Sequence, residues 1–286
     1  MKCPSAVLIG TTSLALLTAT VEDRGPVRVM RDIAYAQGGT AENKHTLDLY
    51  LPERQTSVPI IVSFYGGGLM QGDKQQEAFV GERFASAGIA TAVVNYRLSP
   101  AVVHPAHVQD AASAVAWVKR HIAEYGGRAD QVFIIGHSAG AYLVALLATD
   151  ERYLAAEHLS LRDIRGADPV SGFYWVERHG VAPDRDKRIW GTDEKTWIDA
   201  SPAHHLSPRV PPMLIMYADA DDPWRRDQNV EAAQAIKSAG NRHVEIVQFP
   251  GRTHMSIWSQ LNADGDEVAA QILKFVRSTS VSGSSQ

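Results

Sequence analysis

The sequence has little cysteine, no strong excess of one charge and no long apolar run. Cys3 is its single cysteine, which excludes an intrachain disulfide and a cysteine-based metal cluster. The formal net charge is only −4, which argues against a partner such as nucleic acid or an anionic membrane surface. No apolar run reaches the roughly 18–20 residues that a membrane-spanning helix requires. These absences exclude several classes of protein and leave the function to be read from the motifs.

The remaining composition is typical of a globular protein. Apolar residues make up 45% and charged residues 21% of the 286 positions, which excludes a disordered chain or a coiled coil. A chain of this length can form one large domain or two small ones. The sequence does not indicate whether the chain is a monomer or a dimer.

The N-terminus resembles a secretory signal peptide. Lys2 precedes a mostly apolar stretch over residues 6–19, and charge returns only at Glu22. We expect residues 1–21 to be removed from a secreted or periplasmic protein, and Cys3 with them. If this segment is instead an N-terminal tail or follows a misplaced start, the protein is cytoplasmic.

Strand patterns recur along the chain. Residues 28–35 and 46–51 alternate apolar and polar side chains, as half-exposed strands do. Shorter apolar runs are typical of strands buried on both faces of a parallel sheet; they cover residues 59–64, 89–94, 132–135 and 213–217. Residues 244–249 and, more weakly, 164–170 complete a predicted sheet of about eight strands.

Helical periodicity separates these strands. Apolar residues recur at steps of three and four over residues 76–87, 108–122, 139–149, 227–239 and 267–276. Strands alternating with helices predict an α/β fold with a mostly parallel sheet, helices on both faces and an antiparallel edge formed by the first two strands. We expect one domain over residues 22–277, a loop-rich excursion over residues 150–210 and a disordered tail over residues 278–286.

The strongest motif is the G-x-S-x-G sequence Gly136-His137-Ser138-Ala139-Gly140. An apolar strand precedes it and an apolar helix follows it, which is the context of a nucleophile elbow. Glycines stand two residues before and after the serine because larger side chains would collide in so tight a turn. The motif therefore predicts that Ser138 is an exposed nucleophile at a helix N-terminus.

A serine nucleophile needs a base and an acid that orients the base. In α/β-hydrolases the chain order is Ser, Asp or Glu, then His. Asp221 follows the predicted strand 213–217, and His254 follows the strand 244–249, so both lie at the sheet edge that bears Ser138. Asp221 is the favoured acid, with Asp219 and Asp222 as alternatives.

Glycines also follow the predicted strand 59–64, in the sequence Tyr65-Gly66-Gly67-Gly68. Such a loop brings backbone N–H groups close to a substrate carbonyl. Together with the N–H of Ala139, the residue after the nucleophile, it predicts an oxyanion hole. A phosphate-binding loop is disfavoured because Asp73 occupies the position of the required lysine.

Two histidine pairs raise the question of a metal site. His204 and His205 are adjacent, and His104 and His107 are three residues apart. Neither pair has a carboxylate at the spacing of a zinc site, so we expect no metal.

These motifs together resemble the α/β-hydrolase fold, and within it the hormone-sensitive-lipase and kynurenine-formamidase-like (BD-FAE-like) carboxylesterases. The similarity covers approximately residues 31–276. It rests on the segments YGGGLMQGDK, NYRLSPAVVHPAHVQDAASAVAWV, GHSAGAYLVALLA and PPMLIMYADADDP. The resemblance implies a carboxylic-ester hydrolase that needs no cofactor, with oxyanion donors at Gly67, Gly68 and Ala139. Arg97, His104, Pro105 and Asp110 fall in a shared linker, where we expect structural roles.

Two departures from the family pattern stand out. Tyr65 replaces the usual histidine of the HGGG loop, and YADAD replaces HGxxD before the acid. The triad is unaffected by either, but the shape of the loop and the packing behind Asp221 become open questions.

The leading hypothesis is therefore a serine esterase for short-chain or small aromatic esters. An arylformamidase uses the same triad and is the main alternative; a serine peptidase and a non-catalytic hydrolase-fold binding protein are weaker ones. Absence of a long apolar lid favours small soluble esters. The candidate substrate contacts are Leu69, Phe173, Trp175 and Trp258, with Tyr174 and Trp224 nearby in sequence.

Overall fold

The computed structural model describes residues 24–36, 43–178 and 183–281. Eight strands form one sheet. They are β1 (Val27–Ala34), β2 (Thr46–Pro52), β3 (Val58–Phe64), β4 (Ala90–Val94), β5 (Gly127–His137), β6 (Gly166–Val170), β7 (Met213–Ala218) and β8 (Val244–Phe249). The predicted signal peptide, residues 1–21, lies outside the described residues.

The strand order is β1-β2-β4-β3-β5-β6-β7-β8. β2 pairs antiparallel with both β1 and β4, and every other pairing is parallel. The predicted fold class and its antiparallel edge are therefore confirmed. Because β3 and β5 to β8 run in one direction, the segments that follow them emerge at a single edge of the sheet, where open α/β sheets bind ligands.

Nine α-helices lie among the described residues. They are α1 (Ala78–Ser86), α2 (Ala106–His121), α3 (Ala139–Thr149), α4 (Glu151–Ala156), α5 (Pro183–Trp190), α6 (Glu194–Asp199), α7 (Pro223–Ser238), α8 (Ser256–Ser259) and α9 (Glu267–Val281). None of the helices in these ranges is long and apolar enough to cross a bilayer.

The two faces of the sheet bury separate apolar clusters. Neighbouring residues of a strand point to opposite faces, so Ile60 and Ile134 join the larger cluster, whereas Ile61 and Ile135 join the smaller one. Helices α2, α3 and α7 contribute side chains to the larger cluster, and α1 and α9 to the smaller. This three-layer packing supports the loops at the sheet edge.

The structure adds detail to one prediction and corrects another. The predicted loop-rich excursion over residues 150–210 contains the short helices α4, α5 and α6 besides β6, which agrees with the weakly predicted strand over residues 164–170. The predicted disorder from Ser278 is wrong for residues 278–281, which continue α9. There the hydroxyls of Ser278 and Ser280 donate to the carbonyls of Phe275 and Val276 in the preceding turn of the helix.

Candidate active site

Ser138 occupies the turn between β5 and α3 in a strained backbone conformation, with φ of 54° and ψ of −111°. An L-residue rarely adopts a positive φ, and such strain is concentrated at functional sites. Flanking glycines permit the turn: a Cβ at Gly136 would lie 2.6 Å from the Gly140 carbonyl, and one at Gly140 would overlap Phe64. The Ser138 amide donates to the Val170 carbonyl, which ties the turn to the end of β6.

A chain of hydrogen bonds connects Ser138 to two residues from other strand ends. His254 Nε2 lies 3.0 Å from Ser138 Oγ, and His254 Nδ1 lies 2.6 Å from Asp221 Oδ1. His254 follows β8, and Asp221 follows β7. The three predicted residues are thus brought together although they are separated by up to 116 positions in the sequence. This is the arrangement that activates a serine hydroxyl.

Asp221 is buried, and its second oxygen is also bound. Oδ2 accepts hydrogen bonds from Ser171 Oγ at 2.6 Å and from the Ala218 amide at 3.0 Å. Burial alone would raise the pKa of Asp221, but the hydrogen bonds from His254 and Ser171 outweigh it and lower the pKa. The carboxylate therefore stays ionised beside the imidazole.

The two alternative acids lie elsewhere. Asp219 accepts a hydrogen bond from the Gly251 amide at 2.9 Å, and Asp222 precedes α7 as its N-cap residue. Only Asp221, of the three candidates, contacts His254. The sequence pattern favours the same residue.

The glycine-rich loop lies next to Ser138, as the sequence predicts. Gly67 and Gly68 have positive φ values of 101° and 64°, and a Cβ at Gly67 would overlap the Gln71 carbonyl. Larger residues would therefore strain the loop. Gly67, Gly68 and Ser138 line one cavity, and Ala139 begins α3 directly beside the nucleophile.

Tyr65, which replaces the usual histidine, supports this loop by stacking. Its ring lies 4.4 Å from that of Tyr96, and the Tyr96 hydroxyl donates to the Tyr65 carbonyl at 2.8 Å. The Tyr65 hydroxyl donates in return to the Tyr96 carbonyl. Burial raises the pKa of Tyr65, so the hydroxyl remains a donor. The substitution is thereby accommodated through packing behind the loop.

A polar cluster that the sequence analysis did not identify secures the other end of the loop. Lys44 donates to the Gly72 carbonyl and to Asp73, and the Lys74 amide donates to Asn95. The buried Lys74 ammonium pairs with Asp48 and Asp32. The loop is thus bonded at both ends to the sheet.

Comparison with known proteins agrees with this geometry. Residues 47–164 match the family model described as BD-FAE. Esterase 2 of Thermogutta terrifontis superposes with a TM-score of 0.69 at 28% identity, covering 88% of this chain and 91% of that one. The chain has the α/β-hydrolase fold, and its residues 47–164 resemble the BD-FAE family.

Two further relatives extend the comparison. A carbohydrate esterase from gut microbiota superposes on this chain with a TM-score of 0.76 at 20% identity, covering 91% of this chain and 98% of that one, which shows the shared fold. Esterase LipQ of Mycobacterium tuberculosis is 27% identical over 250 residues, which cover 78% of this chain and 56% of LipQ. The chain spans little more than half the length of the first curated relatives that it matches.

Two cavities of this chain adjoin Ser138. The inner cavity, of about 20 Å³, is bounded by Leu69, Phe173 and Trp190 beside Ala139. The outer cavity, of about 870 Å³, is open to solvent and extends along the glycine loop to Trp258 and Glu77. Leu69, Phe173 and Trp258 therefore lie where substrate contacts were predicted.

The prediction that Trp175 contacts the substrate does not agree with the structure. Trp175 lines neither of these two cavities formed by the described residues. Its ring instead packs under the Arg178 guanidinium, whose carbon lies 4.9 Å from the ring centroid, and Arg178 pairs with Glu231. The chain bends at Tyr174, between Phe173, which lines the inner cavity, and Trp175, which does not.

Several cavity residues escaped sequence analysis. Arg185 and Trp190 come from α5, and Arg225 comes from the first turn of α7. Arg225 stands four positions after Asp221, and its Nε lies 3.9 Å from Asp221 Oδ1 although Asp221 precedes the helix. Helix α5 is short and largely polar, so its pattern resembled a loop.

Trp258 and Glu77 form a further pair at the outer cavity. The Trp258 indole N–H donates to Glu77 Oε2, and its ring stacks on His137 at 5.6 Å. Burial raises the pKa of Glu77 to about 7, although the hydrogen bond from Trp258 opposes the shift. Burial therefore favours the protonated form of Glu77 more than that of an exposed glutamate.

The remaining predicted residues have structural contacts. Arg97 and Asp110 form a bidentate ion pair, and His104 Nε2 lies 3.4 Å from the Tyr153 hydroxyl. His204 pairs with Glu177, whereas His205 contacts the Asp199 carbonyl. Within the part of the chain that the structure describes, no three His, Cys, Asp or Glu residues form a candidate metal site.

Proposed function

We propose that this protein is a serine carboxylic-ester hydrolase acting on short-chain or small aromatic esters through an acyl-enzyme. The observation that carries the proposal is the hydrogen-bond chain from Ser138 Oγ through His254 to Asp221, beside the glycine loop. The names of the relatives, esterases among them, support the same class.

In the first half-reaction, Ser138 Oγ attacks the ester carbonyl carbon and its proton passes to His254 Nε2. Asp221 accepts the Nδ1–H hydrogen bond, which selects the reactive tautomer and stabilises the imidazolium. The carbonyl oxygen becomes an oxyanion, for which Gly67, Gly68 and Ala139 supply backbone N–H groups. The C–O bond to the alcohol then breaks, and His254 returns the proton to the departing alkoxide.

In the second half-reaction, a water molecule attacks the acyl-enzyme. His254 takes a proton from this water, a second tetrahedral intermediate forms, and its collapse breaks the bond to Ser138 Oγ. The proton returns to Oγ and a carboxylic acid is released. No cofactor enters either half-reaction.

The inner cavity supports a preference for short acyl groups. Its volume of about 20 Å³ is close to the space of a single water molecule. An acetyl methyl group fits there, whereas a butyryl chain requires Trp190 or Phe173 to move. The outer cavity is open and large enough for an aromatic alcohol.

The size of the inner cavity also favours a second candidate, an arylformamidase, because a formyl group is smaller still. Rates on N-formylkynurenine and on aryl acetates separate the two. We expect higher kcat/KM on the acetates; the opposite ranking would make formamide hydrolysis the main activity.

The proposal is tested by Ser138→Ala, measured on p-nitrophenyl acetate and by labelling with a fluorophosphonate probe. We expect labelling of the wild-type protein only and a loss of at least about 10⁴-fold in kcat, as for removal of a triad serine. The exposed Ser259→Ala variant serves as the matched control. Undiminished hydrolysis by Ser138→Ala at unchanged fold would refute the assignment.

A further inference from the structure

Two arginines lie at the wall of the active-site cavities. Arg185 from α5 and Arg225 from α7 each line both the inner and the outer cavity, together with Ser138. Neither belongs to the hydrogen-bond chain from Ser138 to Asp221. Hydrolysis of a neutral ester requires no such pair of cations, so their presence calls for another explanation.

Arg225 is a buried cation whose charge is only partly balanced. Its side chain is 11% exposed; Nη1 donates to the Ser171 carbonyl at 2.7 Å, and Nε lies 3.9 Å from Asp221 Oδ1, beyond hydrogen-bond distance. Burial lowers the pKa of Arg225 to about 10, against the raising effect of Asp221 and Asp222. An anion placed against a buried cation of this kind offsets its desolvation cost.

Arg185 is held with its guanidinium group against the glycine loop. Nε and Nη2 lie 3.1 and 2.9 Å from Oδ1 of the buried Asp186. Nη1 lies next to Gly68, where a Cβ would be 3.4 Å away. The charge of Arg185 also lowers the pKa of Arg225, so the two cations repel each other. An anion close to both would relieve this repulsion.

We propose that Arg185 and Arg225 form a binding site for a carboxylate carried by the alcohol part of the ester substrate. The inference rests on the proposed esterase function and names its substrate class. A carboxylate matches the planar guanidinium fork. It belongs to the alcohol part because the inner cavity, at about 20 Å³, is filled by a two-carbon acyl group.

The nearby carboxylates already have partners. Asp186 is bound to Arg185 through Oδ1. Glu77, the one carboxylic acid in the described lining of the outer cavity, accepts a hydrogen bond from Trp258. Asp221 already accepts hydrogen bonds from His254, Ser171 and the Ala218 amide.

The test compares two acetates that differ in one charge, meta-acetoxybenzoate and its neutral methyl ester. For each substrate, kcat/KM of the wild-type protein is divided by that of Arg185→Gln, which cancels the intrinsic reactivity of the ester. We expect this ratio to be at least about tenfold larger for the anion, the effect of one charge-assisted hydrogen bond. Turnover of the methyl ester reports that the variant is folded.

Arg188→Gln is the matched control, because Arg188 is an exposed arginine on the same helix and lines neither cavity. The ratio of wild-type to Arg188→Gln kcat/KM should be the same for both esters. Raising NaCl from about 0.05 to about 0.5 M should shrink the wild-type preference for the anion. Equal Arg185→Gln ratios for the anionic and the neutral ester would overturn the proposal.

Binding to Ser138→Ala, measured by titration calorimetry, separates this proposal from the esterase function. Tighter binding of meta-acetoxybenzoate than of its methyl ester, lost in Ser138→Ala/Arg185→Gln, supports the carboxylate site even if the wild-type protein hydrolyses neither ester. Hydrolysis of both esters without any preference in binding would overturn the carboxylate site and leave the esterase function standing.

Discussion

The Ser171 hydroxyl donates a 2.6 Å hydrogen bond to the Asp221 oxygen that does not face His254. Ser171 is fully buried, follows β6 directly and has a positive φ of 51°. Strain of this kind costs of order 1–3 kcal/mol and is retained where the surrounding structure requires it. The acid of the candidate triad is therefore oriented by a residue from a neighbouring strand end.

Ser171→Ala should impair catalysis and destabilise the fold in a pH-dependent way. The hydrogen bond lowers the pKa of Asp221, so its stabilising effect is present above the unfolded-state pKa and is lost as pH falls through the lower folded-state pKa. We expect about 1.5–3 kcal/mol less stability at pH 7 and a difference that shrinks as pH falls below the ordinary aspartate pKa of 3.8. Urea unfolding at pH 7 and over a series of acidic pH values measures this. A loss of stability in Ser171→Ala that does not change with pH would contradict the assigned role. Ser259→Ala is the control for loss of a serine hydroxyl.

Lys74→Met should loosen the glycine loop. Although burial alone would lower it, the pKa of Lys74 is raised by hydrogen bonds to Asp32 and Asp48. Removing the ammonium leaves the fully buried Asp48 without this partner, which costs about 3–5 kcal/mol. We expect lower stability together with a lower kcat.

The control for this substitution is Lys195→Met, on the exposed surface of α6. Adding Asp48→Asn to Lys74→Met should recover part of the stability, because the unpaired charge is removed. Failure of the double variant to recover any stability would argue against the ion pair as the cause.

Trp190→Ala should change the acyl preference. Trp190 closes the inner cavity, with its ring 6.0 Å from Phe173 and its indole N–H 3.2 Å from the Tyr142 hydroxyl. We expect the ratio of kcat/KM on p-nitrophenyl butyrate to that on the acetate to rise at least about tenfold, at a cost of about 3–5 kcal/mol in stability.

Trp197→Ala is the matched control, since Trp197 packs against Trp190 at 6.5 Å but lines neither cavity of the described residues. It should destabilise the protein without changing the chain-length preference. An equal change of preference in both variants would show that general loosening is responsible.

Stability should fall on mild acidification because His107 is buried and neutral. Burial lowers the pKa of His107 to about 4. Between about pH 6.5 and 4 the unfolded chain takes up a proton that the folded one does not, so the free energy of unfolding falls as pH falls. A difference of one full proton between the unfolded and folded states changes the free energy of unfolding by about 1.4 kcal/mol per pH unit.

We expect His107→Gln to flatten the stability profile between about pH 6.5 and 4.5, and the more exposed His121→Gln to leave it unchanged. Chemical unfolding at several pH values gives the slope. The same slope in wild type and His107→Gln would assign the acid sensitivity to other groups, of which the buried His137 is the next candidate because burial lowers its pKa to about 3.

We also propose export of the protein, on the basis of its N-terminal sequence. Mass spectrometry of the protein recovered outside the cytoplasm should find an N-terminus near residue 22, without Cys3. Recovery of exported protein with Met1 or Lys2 intact would contradict cleavage.

The local sequence predicted most of the regular structure because strands and helices each place apolar residues at a characteristic short spacing. The apolar runs before Ser138, Asp221 and His254 are strands, and the helices that follow two of them begin close to the predicted positions. β5 extends further back, to Gly127, which pairs with Val58 of β3 before a register irregularity, and the residues 128–131 between the two paired parts have no apolar alternation.

The sequence by itself determined the nucleophile elbow, the glycine loop and the chain order Ser, Asp, His, because each depends on residue types within a few positions. Only the tertiary structure decided which aspartate contacts His254, how Tyr65 is accommodated and which residues close the inner cavity. Helix α5 shows why. Its eight residues include only two large apolar side chains, the adjacent Ile189 and Trp190, which are too few to show a repeat. Arg185 and Trp190 come near Ser138 only through packing between segments that are distant in the chain.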